Sequence, residues 1–338
     1  MIIGLSIILA LVFFLPFMIK NVEHNLEAFL FLMGIAAATI SHAMDDDLMI
    51  KALTDPIHIT LAVLLAGFLV RWCQHSIEKG ILGMSRAVPF RLFSALVVII
   101  LGLISSIITA IIAAILLVVV VSVLRLNRKA EIRLVVLACF SIGLGAALTP
   151  IGEPLATITI SKLDEDFFYL ISLIGTEIIP AVIIFGILAA ILVSPKQVNN
   201  NLNTGLQKES YKEIITRSLK IYIFIMGLTL LGAGFEPFIE KYLLELSPLS
   251  LYWINMISAV LDNATLAAAE VSPMMDAPTI QAILLGLIIS GGMLIPGNIP
   301  NIIAAGKLKI SSREWAKFGL PVGFITMIIY FLVIISFG

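Results

Sequence analysis

The sequence predicts an all-α integral membrane protein built from two inverted repeats, each with a re-entrant hairpin and a broken transmembrane helix. Three observations predict it. Hydrophobic residues form 60% of the chain and charged residues 13%, and several apolar runs approach the roughly 20 residues that cross a bilayer as a helix. The charges alternate along the chain between basic and acidic clusters, as loops on opposite sides of a membrane do. Apolar runs in each half carry polar residues, Gly and Pro in their middles, in the same order. About eight to ten membrane segments plus hairpins are expected.

The elements follow in order. Residues 1–56 hold N-terminal scaffold helices, over Ile2–Ile19 and Leu26–Met44. The first run lacks a basic start and a small-residue cleavage site, so it reads as a transmembrane helix rather than a signal peptide. The Asp45–Asp47 run reads as a solvated exterior loop. The first repeat covers 57–193. It opens with a crossing over Ile57–Trp72, followed by a stretch, 88–124, whose two ends both carry basic residues (Arg91 and Arg125). That stretch is either two short helices or a hairpin dipping from the cytoplasm, and the match between the halves favours the hairpin, with Ser105, Ser106 and Thr109 at its tip. A broken helix over 134–161 comes next, interrupted at Thr149-Pro-Ile-Gly-Glu-Pro154, and then a crossing over Phe167–Val193. Residues 194–215, with Asn199-Asn-Asn201 and Gly205, read as a cytoplasmic linker. The second repeat covers 216–338. Its hairpin, 249–272, enters from outside with Asp262, Asn263 and Thr265 near the tip. Its broken helix, 279–308, is interrupted between Ser290 and Asn301, and Trp315–Ser336 closes the chain. The basic clusters around residues 71–91, 125–133, 196–220 and 307–317 belong inside by the positive-inside rule. Both termini then lie outside, in an expected plasma-membrane protein.

Chemistry concentrates at the two tips and the two breaks. A helix interrupted at membrane depth frees carbonyls and N–H groups that persist only against protein or water. Freed carbonyls bind cations, and half-helix N-termini favour anions. Oxygen-bearing side chains complete a site for a hard cation. The candidates are Ser105, Ser106 and Thr109; Thr149 and Glu153; Asp262, Asn263 and Thr265; and Asn298 and Asn301. Ser and Thr in membrane helices often bond back to their own helix, and either Asn298 or Asn301 could cap a half-helix. A carboxylate at membrane depth costs about 2.5–3.5 kcal/mol on insertion scales, so Asp262 and Glu153 are the stronger ion-pathway residues and the expected Na⁺ ligands. Glu177 reads equally as a proton relay or a packing residue, and Glu270 as a residue reaching the interface. Cys73 and Cys139 lack metal-ligand spacing and read as reduced packing residues. No Lys or Arg stands in the middle of a proposed crossing, which favours a cation as the transported or coupling species. No nucleotide-binding loop, zinc-ligand motif or nucleophile triad is present in the sequence, so an enzyme is not expected, nor a cofactor or a nucleic-acid partner.

The same residues carry a resemblance. Leu261-Asp-Asn-Ala-Thr-Leu-Ala-Ala268, Thr149-Pro-Ile-Gly-Glu-Pro154 and Gly291-Gly-Met-Leu-Ile-Pro-Gly-Asn298 resemble the hairpin and break motifs of the ion-transporter superfamily. That superfamily includes NhaD-type sodium/proton antiporters, arsenite carriers, and citrate and dicarboxylate carriers. The overall sequence is similar to a prokaryotic family described as cation transporters. The resemblance implies a homodimer with elevator-like movement. The chain departs from the pattern at the first hairpin, where Ser105-Ser106 and Thr109 stand in place of an Asn-Thr pair. The expected function is cation (Na⁺)/H⁺ antiport by alternating access in the lipid bilayer. The alternative is Na⁺-coupled symport of a small anion, such as a carboxylate or an inorganic oxyanion.

Overall fold

The computed structural model describes residues 1–19, 21–22, 25–194, 210–242, 246–259 and 263–337. Every regular element among them is helical. In chain order these are α1 (Ile2–Met18), α2 (Leu26–Ile40), α3 (Asp46–Ala87), α4 (Phe90–Ile108), α5 (Ala110–Leu124), α6 (Arg128–Ala146), α7 (Pro154–Leu163) and α8 (Tyr169–Leu192). There follow α9 (Tyr211–Tyr242), α10 (Pro248–Ile254), a 3₁₀ turn (Asn255–Ala259), α11 (Asn263–Glu270), α12 (Ala277–Gly291), a second 3₁₀ turn (Ile295–Gly297), α13 (Ile299–Leu308) and α14 (Ser312–Phe337). Within α4, α8, α9 and α14 lie stretches long and apolar enough to cross a membrane. Shorter apolar helices occur at α1, α2, α5 and α12. This is an architecture compatible with an all-α multi-pass membrane protein.

Two expectations are corrected. The acidic run Asp45–Asp47 is the start of a 42-residue helix rather than a loop. The Asp45 carboxylate accepts from the Leu48 N–H at 2.7 Å, and Asp46 and Asp47 fill the first turn, where the helix dipole favours negative charge. At about 1.5 Å per residue this helix extends well beyond a ~30 Å hydrocarbon layer. The expected linker 194–215 also ends early, because α9 begins at Tyr211; residues 195–209 lie outside the described residues. Ser210 and Glu213 explain the early start. The Ser210 N–H donates to Glu213 Oε2 at 2.7 Å and the Glu213 N–H to Ser210 Oγ at 3.2 Å. This reciprocal capping box is written in the sequence as Ser-x-x-Glu.

The core sits around α6 and α12, which are buried along most of their lengths. α4 and α8 pack on α6, while α10, the first 3₁₀ turn and α14 pack on α12. α2 and α3 flank α9, with α1 on α2. Small residues permit the closest of these approaches. A Cβ on Gly145 of α6 would overlap the Gly102 carbonyl of α4. One arginine ties the two halves. Arg128 donates to the carbonyls of Leu308 (3.0 Å) and Lys309 (2.7 Å) at the end of α13, and through Nε and Nη2 to both carboxylate oxygens of Glu314 (2.8 and 2.6 Å).

Candidate functional site

The first break follows from local chemistry. α6 stops at Ala146, and Glu153 is the N-cap of α7 in extended conformation (φ −154°, ψ 160°), with Pro154 opening that helix. Proline suits the first helical position because its missing N–H would have no partner there. Gly152 is required at the turn, since a Cβ would overlap the Ala146 carbonyl. The first hairpin closes on this break. The Ala110 N–H donates to Gly152 O at 2.9 Å, Ser105 Oγ to Ile142 O at 3.0 Å, and Thr149 Oγ1 to Ser106 O. Ser105 also bonds back to Gly102 O, and Ser106 to Leu103 O. Thr109 forms the tip with a positive φ of 75° and caps α5 through the Ile112 N–H at 3.4 Å.

The second break repeats this construction. Asn298 is the N-cap of α13 (φ −155°, ψ 145°), preceded by Gly297 and followed by Pro300. Gly152 and Gly297, Glu153 and Asn298, and the left-handed C-caps Asp164 and Lys309 are three pairs with the same sequence separation, 145 residues. The hairpin contact repeats as well: Ser258 Oγ donates to Leu287 O at 3.2 Å, and Leu287 lies 145 residues beyond Ile142. Ser290 Oγ bonds to Asn255 O at 2.7 Å and to Gly286 O at 2.6 Å. Asn301 Nδ2 donates to Gly291 O and Leu294 O, both at 2.8 Å. It thereby satisfies carbonyls that the interruption of α12 frees.

These bonds sort the candidate residues. The hydroxyls of Ser105, Ser106 and Thr149 and the amide nitrogen of Asn301 are taken up by backbone carbonyls. Glu153, at 5% exposure, Asn263, at 5%, and Asn298, at 6%, are buried acidic or amide groups at the breaks and the second tip. Asn298 reaches across to the first half, its Nδ2 2.7 Å from where a Gly143 Cβ would stand. Asn263 Nδ2 lies 3.7 Å from the equivalent point on Gly291. Among the described residues, Asn263 Nδ2 and Asn301 Oδ1 are buried without a hydrogen-bond partner. Asp262 and the Thr265 side chain lie outside the described residues. The N-terminus of α5 lies at the first break, where the Ala110 N–H donates to Gly152 O, beside that of α7, and the N-terminus of α11 lies at the second break, where Asn263 stands by Gly291, near that of α13. No Lys, Arg or His occurs in residues 102–112, 141–157, 255–267 or 286–302. Glu177 makes its contacts elsewhere. Its carboxylate accepts from Thr176 at 2.9 Å, and its backbone carbonyl accepts from Tyr330 of α14.

The structure adds two residues and corrects one expectation. Glu270 does not reach the interface: it is 0% exposed, as is Asn255. Asn255 Nδ2 donates to Glu270 Oε2 at 2.9 Å across the base of the second hairpin. The sequence signal was their spacing, since a chain folded back midway between them brings residues 255 and 270 opposite each other.

A family model described as "Protein of unknown function (DUF1646)" matches residues 2–337. The chain belongs to this family. The match runs through the N-terminal helices, both hairpins and both breaks. No curated protein matches the chain.

Proposed function

We propose that this DUF1646 member is a secondary active transporter that exchanges a monovalent cation, Na⁺, for protons by alternating access. α4–α8 and α10–α14 are taken as its inverted repeats, and the two breaks with their hairpin tips as its ion site. One observation carries this reading. Each break is gripped by its hairpin through the same serine-to-carbonyl bond, Ser105 to Ile142 and Ser258 to Leu287, with buried Glu153 and Asn298 at matching positions. Corresponding helix interruptions in two halves are the mark of a transporter's binding site. The buried acid and the absence of any basic residue in these stretches favour a cation, because an acid can exchange a proton for a metal ion. Asp262 and Glu153 would take Na⁺ or H⁺ in turn, with Asn263, Thr265, Thr109, Asn298 and freed carbonyls completing the shell. The resemblance to the ion-transporter superfamily supports the same reading, as well as a homodimer in the plasma membrane with both termini outside.

Two observations favour the second reading, Na⁺-coupled symport of a small anion. Four helix N-termini meet at the breaks, and the group of Asn263 without a partner is an N–H donor. Both suit negative charge.

The test is transport in proteoliposomes with an internal pH-sensitive dye and an imposed pH gradient. Na⁺ added to wild type should dissipate the gradient, and Asp262→Asn and Glu153→Gln should each abolish the response while inserting normally. A full response in both variants refutes the site. No response of wild type to Na⁺, Li⁺ or K⁺, combined with Na⁺-dependent uptake of a labelled carboxylate or oxyanion, selects the anion symporter.

A further inference from the structure

Glu270 and Asn255 form a second polar centre, separate from the two breaks. Both are fully buried, on opposite arms of the second hairpin. The amide orientation is set by two acceptors, because Asn255 Nδ2 donates to Glu270 Oε2 at 2.9 Å and faces Ile283 O at 3.4 Å. That leaves Asn255 Oδ1 and Glu270 Oε1, both buried and both without a hydrogen-bond partner. Two buried acceptors with no donor are costly, and a buried carboxylate without a counter-charge more so.

Among the described residues, the surroundings supply no counter-charge. α7 carries Glu153 at its cap and an exposed Lys162 at its far end, and α9 carries an exposed Glu236. The side chains of Arg217, Glu240 and Lys241 lie outside the described residues. α12 has no ionisable side chain, and the Tyr252 hydroxyl of α10 is bonded to Met327 O. Among the described residues, no Lys, Arg or His pairs with Glu270. A single proton resolves both deficits. Placed on Oε1, it would make an O–H able to donate to Asn255 Oδ1, beside the N–H···Oε2 bond already present. The result would be a neutral acid–amide pair in which both orphaned oxygens share that proton.

We propose that Glu270 is a proton-binding site of this protein, holding one proton against Asn255 and releasing it when the two arms of the hairpin separate. The proton leaves to water at the 271–276 loop, where Pro273 and Met274 are exposed, and the carboxylate remains. The assignment of this proton to transport rests on the antiport reading; the site itself does not.

The test uses the full-length protein in two measurements. In the infrared difference spectrum between acidic and alkaline samples, wild type should show a buried carboxylic C=O band that is absent from Glu270→Gln. An unchanged band in that variant overturns the site. In proteoliposomes, Glu270→Gln should retain exchange of labelled Na⁺ for Na⁺ but show weaker uptake driven by a pH gradient, because one of the protons that couple to Na⁺ is lost. Driven uptake equal to wild type overturns the role in coupling. A wild type that shows no proton-driven Na⁺ movement refutes the antiport reading, while the infrared band still reports the proton site. Asn255→Ala removes the amide and keeps the acid. It should shift the pH at which the C=O band disappears; an unshifted band with only a lower melting temperature overturns the acid–amide pair.

Discussion

At the scale of single residues, the first hairpin tip shows how an apolar helical chain manages polar groups away from water. Thr109 turns the first hairpin with φ 75° and ψ 149°. This region is natural for glycine and costs other residues about 1–3 kcal/mol. Its 3.4 Å cap to Ile112 is a weak compensation. Thr109→Gly should therefore raise the melting temperature in detergent, whereas Thr109→Val, which keeps the strain and loses the cap, should lower it. Ser105 and Ser258 make the matching bonds to Ile142 O and Leu287 O. Hydrogen bonds of this kind contribute about 0.6–1 kcal/mol each. Ser105→Ala and Ser258→Ala should each lower stability by a comparable amount, read as thermal unfolding of the purified protein. A loss in only one of them would mean that the two hairpins are held differently.

At the scale of elements, close backbone approach and a single cation decide how the helices meet. Gly145→Ala would drive a methyl into the Gly102 carbonyl, so α4 must move off α6. Overpacking of this type costs about 1–3 kcal/mol, and the variant should melt lower in detergent than wild type. Arg128 holds two terminal carbonyls of α13 and both oxygens of Glu314 at once. A planar fork of donors can do this, and an ammonium cannot. Arg128→Lys should therefore destabilise nearly as much as Arg128→Ala, by about 1–2 kcal/mol, in chemical or thermal unfolding. Full rescue by lysine would show that charge alone matters there.

At the scale of the whole molecule, α6 and α12 form the centre, each interrupted and each braced by its own hairpin. Asn298 against Gly143 links the second break to the first half, and Arg128, at the start of α6, links the same halves through the end of α13 and Glu314 of α14. The helical class and the two interruptions were legible in the sequence, because their causes are local. Long apolar runs favour a helix whose backbone is satisfied internally, and Gly152, Pro154, Gly297 and Pro300 break a helix wherever they stand. The cap at Asp45 and the Ser210–Glu213 box were also written locally, though the charged runs around them read as loops.

What the sequence alone determined is the all-α class with helices apolar enough to cross a membrane, the positions of the breaks and the polar residues assigned to them. What only the tertiary structure decided is which of those polar groups are occupied. Ser105, Thr149 and Asn301 bond to carbonyls that other segments bring near, Ser106 bonds back to its own helix, and Glu270, expected at the interface, is enclosed beside Asn255. Periodicity reports which face of a helix is apolar, but a hydrogen-bond partner is chosen by distance between segments remote in the chain, and that distance exists only once the helices pack.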